Sequence, residues 1–376
     1  MSGTGATARR TFLRRTLALG AATLLAPLSR RAGATAGGAK GDEAKASVID
    51  VRTKGARGDG KSDDTTAIQA AIDALPAAGG TVRVPAGNYM IDAARAVSLR
   101  SNVRLEMAPD AQLTALPNTL KRYHVLRVWR VDNVQIVGGR IVGERDQHRG
   151  SKGEWGYGIN IQASRNVTVT GTRISDCWGD GMWIGAFGRG AKADLSMDVT
   201  LQNVVCTNNR RQGLSLGPCK RVRILDSTFS GTHGTAPQSG IDLEPMGQGE
   251  ASDVLIQGCT MTGNKGCGVE IHHSVSGVVI RHCTIRDNAG YGVLAAQMND
   301  LWVDDNVITG NGMNGVKLAG HTSDVKVTDN TLSSNSTRSL RSTLKAMVSG
   351  RVGGAHTAQL HVGKNTSNVH VSGNTF

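Results

Sequence analysis

Aromatic side chains are scarce in this sequence of 376 residues: four Phe, four Tyr and five Trp, 3% of the chain. So few rings exclude a core of packed aromatics and leave its filling to aliphatic side chains. The six cysteines fall between Cys177 and Cys283, with no CxxC pair and no Cys/His spacing of a zinc site. Lys and Arg outnumber Asp and Glu, 43 to 30, yet form no basic stripe interleaved with aromatics, which argues against a nucleic-acid partner. Beyond Leu28 there is no long apolar run, so no membrane span is expected after processing. Glycine is the opposite case: 49 residues, the composition of a turn-rich β-structure.

The first 34 residues read as an address rather than as fold. Arg9-Arg10-Thr-Phe-Leu-Arg14 precedes the apolar stretch Leu17 to Leu28 and Ala32-Gly33-Ala34. That order resembles a twin-arginine signal peptide with a signal-peptidase site. The implied partner is the twin-arginine translocation machinery and the implied location is the periplasm or the exterior. An apolar stretch of about 12 residues is too short to span a bilayer. Without the six arginines of this segment the net charge falls from +13 to +7. An exported, moderately basic protein suits an acidic polysaccharide as partner. Residues 35–46, rich in Gly, Ala and Lys, read as a linker, and residues 47–376 as one domain.

The domain is organised by a recurring phrase: glycine, apolar, variable, apolar. It appears at Gly158, Gly181, Gly213, Gly240, Gly268, Gly292 and Gly315, with steps of 23, 32, 27, 28, 24 and 23 residues. Such steps mark a stacked solenoid. Two further short strands follow each phrase, one with apolar pairs such as Val199/Leu201 and Val254/Ile256, one ending near Phe229, Met261 or Ile285. Three short strands per turn predict a right-handed parallel β-helix. At one turn position Thr172, Ser227, Cys259, Cys283, Asn306, Asn330 and Asn374 coincide, an internal ladder of small stacked residues; a Cys259–Cys283 disulfide is the alternative.

Upstream, Asp63 or Asp64 is placed to cap a helix carrying Ile68, Ala71, Ile72 and Leu75, ended by Gly79-Gly80. A helix there would cover the open end of the solenoid. The run Val48-Ile-Asp-Val through Gly79-Gly80-Thr-Val-Arg-Val-Pro85-Ala-Gly-Asn-Tyr89 resembles the N-terminal segment of the pectate-lyase-like superfamily, which includes polygalacturonase-type hydrolases. The resemblance spans about residues 46–376 and implies a β-helix acting on carbohydrate outside the cytoplasm.

Stacking turns sequence repeats into columns. Equivalent residues on successive coils should lie about 4.8 Å apart. The outward column then reads Asn160, Trp183, Ser215, Asp242, Glu270, Leu294, Lys317, with Glu244 and His272 two residues on and Tyr157, Asp180, Gln212, Cys267 and Tyr291 just before the glycines. The catalytic candidates are Asp180, Arg211, Asp242, Glu244, Glu270 and His272. Glycoside hydrolysis needs two carboxyl groups, and Asp242 pairs with Glu244 on its own strand or with Glu270 on the next coil. Alternatively, the four acids hold Ca²⁺ for a lyase, with Arg211 or His272 as base. A non-catalytic glycan-binding or envelope role is the third option.

Substrate contacts are expected from Asn160, Trp183, Gln212, Tyr157, and the insertion holding Glu144, Arg145, Asp146, His148, Glu154 and Trp155; Glu144 to His148 read equally well as a salt-bridged clasp. Longer loops at Ala186–Ser196, Gly231–Ser239 and Ser336–His356 are placed to build a cleft. Of His272 and His273, which face opposite ways, at least one is structural. From the polygalacturonase pattern only Asp180 carries over, as a candidate acid. Trp155-Gly156-Tyr157 stands for its Asn-Thr-Asp, Gln212 for a histidine, and Asp242-Leu-Glu244 for an Arg-x-Lys uronate grip. The Asp-Pro-His-Glu motif of mannuronan epimerases is absent.

Overall fold

The computed structural model describes residues 47–245, 247, 249–337 and 359–376. Residues 1–34, expected to be an export signal, residues 35–46, expected to be a linker, and most of the Ser336–His356 loop lie outside the described residues. Residues 47 onward form one parallel β-helix of short strands, nearly all paired in parallel with the coil before and the coil after. The predicted register holds along the whole column: Asn160 pairs with Trp183, Trp183 with Ser215, Ser215 with Asp242, Asp242 with Glu270, and Glu270 with Leu294. Among the described residues, no helix is long and apolar enough to cross a membrane.

The recurring glycine is a matter of clearance. A Cβ on Gly181 would stand 2.7 Å from the carbonyl oxygen of Gly213, and one on Gly213 2.5 Å from that of Gly240. Real carbon–oxygen contacts do not come so near, so each coil can settle on the next only where the side chain is a hydrogen. Inside, the flanking apolar residues of every phrase are fully buried, from Ile159 and Ile161 to Val316 and Leu318. Asp, Asn or Gly takes most of the positions where the backbone enters the left-handed region early in the second strands, at Asn166, Asp198, Asp253, Gly277, Asp300 and Asp324, with Arg221 the exception.

Two polar ladders run through the interior. The predicted one holds: Asn306 Nδ2 donates to Asn330 Oδ1 at 2.8 Å, and Asn330 Nδ2 to Asn374 Oδ1 at 2.9 Å. Cys259 and Cys283 occupy the same position as buried free thiols, donating to the carbonyls of Gln257 and Arg281, so the disulfide alternative fails. The second ladder, unforeseen, links Asn264, Asn288, Asn311 and Asn335 through amide contacts of 2.8 to 3.0 Å. Each rung also satisfies a turn N–H that the strands leave unpaired.

At the N-terminal end a helix over Thr65–Asp73 buries Ile68, Ala71 and Ile72 against the first coil. Its capping differs from expectation. Asp63 accepts from the Thr65 N–H, whereas Asp64 turns away to accept from the N–H groups of Arg57 and Gly58. The helix stops at Asp73, before Pro76 rather than at Gly79-Gly80, and the Ile72 carbonyl accepts from the Leu75 N–H and from Arg100.

Asn288 sits at the middle of the second ladder. Asn288→Ala leaves the N–H and amide of Asn264 without their acceptor, and should lower the unfolding free energy by about 1–3 kcal/mol per orphaned group. Urea unfolding followed by circular dichroism measures it.

Candidate active site

The outward column forms the floor of a cavity of about 460 Å³. Trp155, Tyr157 and Trp183 come from the strands Trp155–Gln162 and Met182–Phe187, and Asp242 from Ile241–Leu243 with Glu244 just beyond. Trp183 lies flat because two glycines make room: a Cβ on Gly185 would fall 2.0 Å from the indole, one on Gly217 2.9 Å. Trp129 and Phe187 close the far wall, meeting edge to face at 5.5 Å. Phe187 is carried there by the Ala186–Ser196 loop, which returns as an antiparallel pair with Asp194 and Leu195.

The carboxylates meet on one side, tightly held. Asp242 is 1% exposed; its Oδ2 accepts from Gln212 Nε2 at 2.7 Å, while its Oδ1 has no hydrogen-bond partner. His272 Nε2 stands 3.6 Å from that Oδ1 and 3.2 Å from Glu270 Oε1. Ser239 completes the chain, its N–H reaching Gln212 Oε1 at 2.8 Å and its hydroxyl reaching Glu270 Oε2 at 2.6 Å. Asp180, fully buried, accepts from Ser215 Oγ at 2.8 Å and from Arg211 at 3.2 Å; Arg211 also stands 3.9 Å from Glu154. Asp180, Asp242 and Glu270 therefore face one side, but beneath a lid of neighbours rather than open to solvent.

The charges follow from these surroundings. Burial, then the nearby Glu270, push the Asp242 carboxyl well above the ordinary aspartate value, against the pull of His272. Burial lifts Asp180 to about 6, outweighing what Arg211 and Ser215 return. The hydrogen bond to Glu270, then the charge of Asp242, raise His272 against the opposing effect of burial, favouring the charged imidazole. Burial works to raise Glu270 as well, but hydrogen bonds from His272 and Ser239 hold it low. Across the cavity, burial and the cations Arg127 and Arg122 depress His124 to about 3, leaving a neutral ring stacked on Tyr157 at 5.5 Å.

Calcium fits this donor set poorly. It takes about six to eight oxygen ligands. Here one of the three converging groups offers nitrogen, and one oxygen each of Asp242, Glu270 and Asp180 already accepts a hydrogen bond. His272 stands between Asp242 and Glu270 instead.

The insertion divides in two. Trp155 lines the cavity and Glu154 backs Arg211. Glu144, Arg145, Asp146 and His148 do not reach it. Glu144 and His148 form a buried pair at 2.9 Å, and His148 and Arg210 sandwich Trp178 at 3.9 and 3.7 Å. Arg145 donates to the Asn208 carbonyl, and Asp146 points to solvent. Asn160 touches the site only through its neighbour, accepting from Trp129 Nε1 at 2.8 Å. His273 is exposed outside the cluster. Missed by the sequence reading were Arg122, His124, Trp129, Phe187, Ser215 as an Asp180 partner, and Ser239. Extending the column one coil upstream, where Arg122 pairs with Trp155 and Arg127 with Asn160, would have found the first three.

Asp242 titrates near 3.8 when unfolded and at higher pH in the fold. Its contribution to stability is complete below about pH 4 and is lost as pH rises through the folded value. Asp242→Asn removes that loss, so the melting-temperature gain of the variant over wild type should grow between about pH 4 and about pH 8. Differential scanning fluorimetry reads it; a gain that shrinks with pH contradicts the assignment.

The description "right handed beta helix region" matches residues 118–244 and 248–376. An uncharacterised Bacillus subtilis protein, YclG, is 30% identical over 226 residues, 54% of this chain and 39% of its own length. The mannuronan C5-epimerase AlgE6 of Azotobacter vinelandii is 52% identical over 68 residues, 16% of this chain and 8% of that protein. The solved A-module of AlgE6 superposes with a TM-score of 0.61 at 20% identity, covering 87% of this chain and 98% of the module. The surface adhesin PfbA of Streptococcus pneumoniae superposes with a TM-score of 0.64 at 17% identity, covering 88% and 97%. The chain spans about two fifths of YclG and a small part of AlgE6. With the family description matching more than half of its length, the chain belongs to the right-handed β-helix family.

Proposed function

We propose that the chain is an exported enzyme that binds an anionic polysaccharide across the Trp155–Trp183 face and hydrolyses its glycosidic bonds. The observation that carries this is the unequal pair Asp242 and Glu244, both lining one aromatic-walled cavity. Asp242 is buried and holds its proton; Glu244 is half-buried and wetter. Unequal carboxyls in one cleft are how an acid and a base coexist at one pH.

The residues divide the work as follows. Trp155 and Trp183 offer ring faces to the pyranoses. Arg122 and Arg211 line the same cavity and attract a uronate carboxylate. Asp242 passes its proton to the glycosidic oxygen as the bond to the anomeric carbon breaks. Glu244 takes a proton from the water that attacks that carbon, giving a new reducing end, and solvent exchange restores both groups. Two residues apart along extended backbone, their Cα atoms should lie about 6.5–7 Å apart and their side chains on one side.

A second reading, proton abstraction beside a uronate carboxylate by elimination or epimerisation, is favoured by the two cavity arginines, which can neutralise that carboxylate, and by the likeness to AlgE6. A third, binding without turnover, draws on the adhesin-like fold.

Incubation with a glycan panel that includes polyuronates, with and without EDTA, separates them. Hydrolysis yields reducing ends without the ultraviolet absorbance of an unsaturated uronate, unaffected by chelator. That absorbance indicates elimination, inverted uronates in uncut chains indicate epimerisation, and no product leaves binding. Under hydrolysis, Asp242→Asn and Glu244→Gln should each lower kcat by about 10²–10⁴-fold with little change in KM.

A further inference from the structure

A second cavity, of about 540 Å³, opens on the outward face of the second-strand column and shares no lining residue with the first. Its floor repeats with the coils. Ser252, Ser276 and Asn299 are partners in register, about 4.8 Å apart. Beside them the left-handed turn residues Asp253, Asp300 and Asp324 put exposed carboxylates along the same line. One wall carries Trp302, in register with Val279 on the coil before and Lys326 on the coil after.

Trp302 is 38% exposed in a chain with only five tryptophans. It is no loose surface ring. Its Nε1 donates to Thr328 Oγ1 at 2.8 Å, which fixes the indole, and the Lys326 ammonium stands 5.9 Å from the ring centre. An indole with its polar edge satisfied and its apolar body in a concave, otherwise polar groove is built to be covered by something both apolar and hydrogen-bonding. A pyranose has that character: C–H groups on its faces, hydroxyls around its rim. The hydroxyls of Ser252 and Ser276, the Asn299 amide and the three carboxylates, interrupted at Gly277, give those rims partners along the groove.

We propose that this groove is a second carbohydrate site, with Trp302 as platform, for an uncharged glycan chain running along the solenoid. Charge decides the class. Three carboxylates against Lys220 and Lys326 make this lining acidic, which disfavours a uronate, whereas arginines rim the first cavity. A protein partner is disfavoured because, of the aliphatic side chains in the lining, Val278 and Leu301 are buried and Val279 alone is partly exposed beside the indole. The site does not depend on the chemistry assigned to Asp242.

Affinity electrophoresis of the full chain through gels holding mixed-linkage glucan, xylan, galactomannan or a polyuronate tests it. Retardation is expected in at least one neutral gel. Trp302→Ala should weaken it about tenfold, Trp302→Phe should keep most of it, and Asp242→Asn should leave it unchanged. Circular dichroism checks that the variants are folded. No retardation in any neutral gel, retardation confined to the polyuronate, or retardation that Trp302→Ala leaves intact would overturn the proposal.

Discussion

Everything in this molecule depends on one contact, coil on coil, repeated with a fixed register. The backbone of each coil hydrogen-bonds directly to the coil below, so a residue's neighbours lie about one lap away in sequence and about 4.8 Å away in space. A solenoid has no distant contacts to correct a slip, so the register must be written locally. It is: by glycines that clear the next carbonyl, by asparagines stacked on asparagines, and mostly by Asp, Asn or Gly at the turns. A slip of one residue would put Asp242 inside and Ile241 outside.

The same register concentrates charge, and that is costly. Asp242 and Glu270 face each other on adjacent coils, where like charges repel. Three groups relieve the strain: His272 stands between them, Gln212 donates to one, Ser239 to the other. What relief remains incomplete falls on Asp242 Oδ1, buried without a hydrogen-bond partner. A fold selected for stability alone would place asparagine there. Keeping a carboxyl instead makes sense where its proton is needed.

Columns were legible in the text because β-helix contacts are periodic; heights above the surface were not. Period and alternation fixed which residues share a face, and Asp180, Asp242, Glu270 and His272 do. Their burial was hidden, because what covers them comes from elsewhere: the long side chain of Arg211 reaches back to Asp180, and the Trp183 indole lies flat over two glycines. Phe187 was illegible for a related reason, since it reaches the cavity on a hairpin that breaks the repeat. The insertion's composition allowed two readings. Glu144 and His148 suit sugar binding and a clasp alike, and their buried pairing beside Trp178 is the clasp. The helix end differed for a local reason, since the helix stops at Asp73, before Pro76, and leaves Gly79-Gly80 outside it.

One solenoid carries two grooves of opposite character, and the difference has a structural origin. The first sheet's outward column is flanked by an insertion and a hairpin, which raise aromatic walls and arginines around its floor. The second strand column lines the other groove further along the chain, between Lys220 and Lys326, beside the left-handed residues of its coils. Those positions are mostly Asp, Asn or Gly, with Arg221 the departure, and an acidic edge follows without further design. Trp302 is the exception, since no turn or ladder asks for an indole there. Side chains that the repeat explains are scaffold. In such a fold it is the residues the repeat does not explain, Asp242 on one face and Trp302 on the other, that point to what the molecule touches.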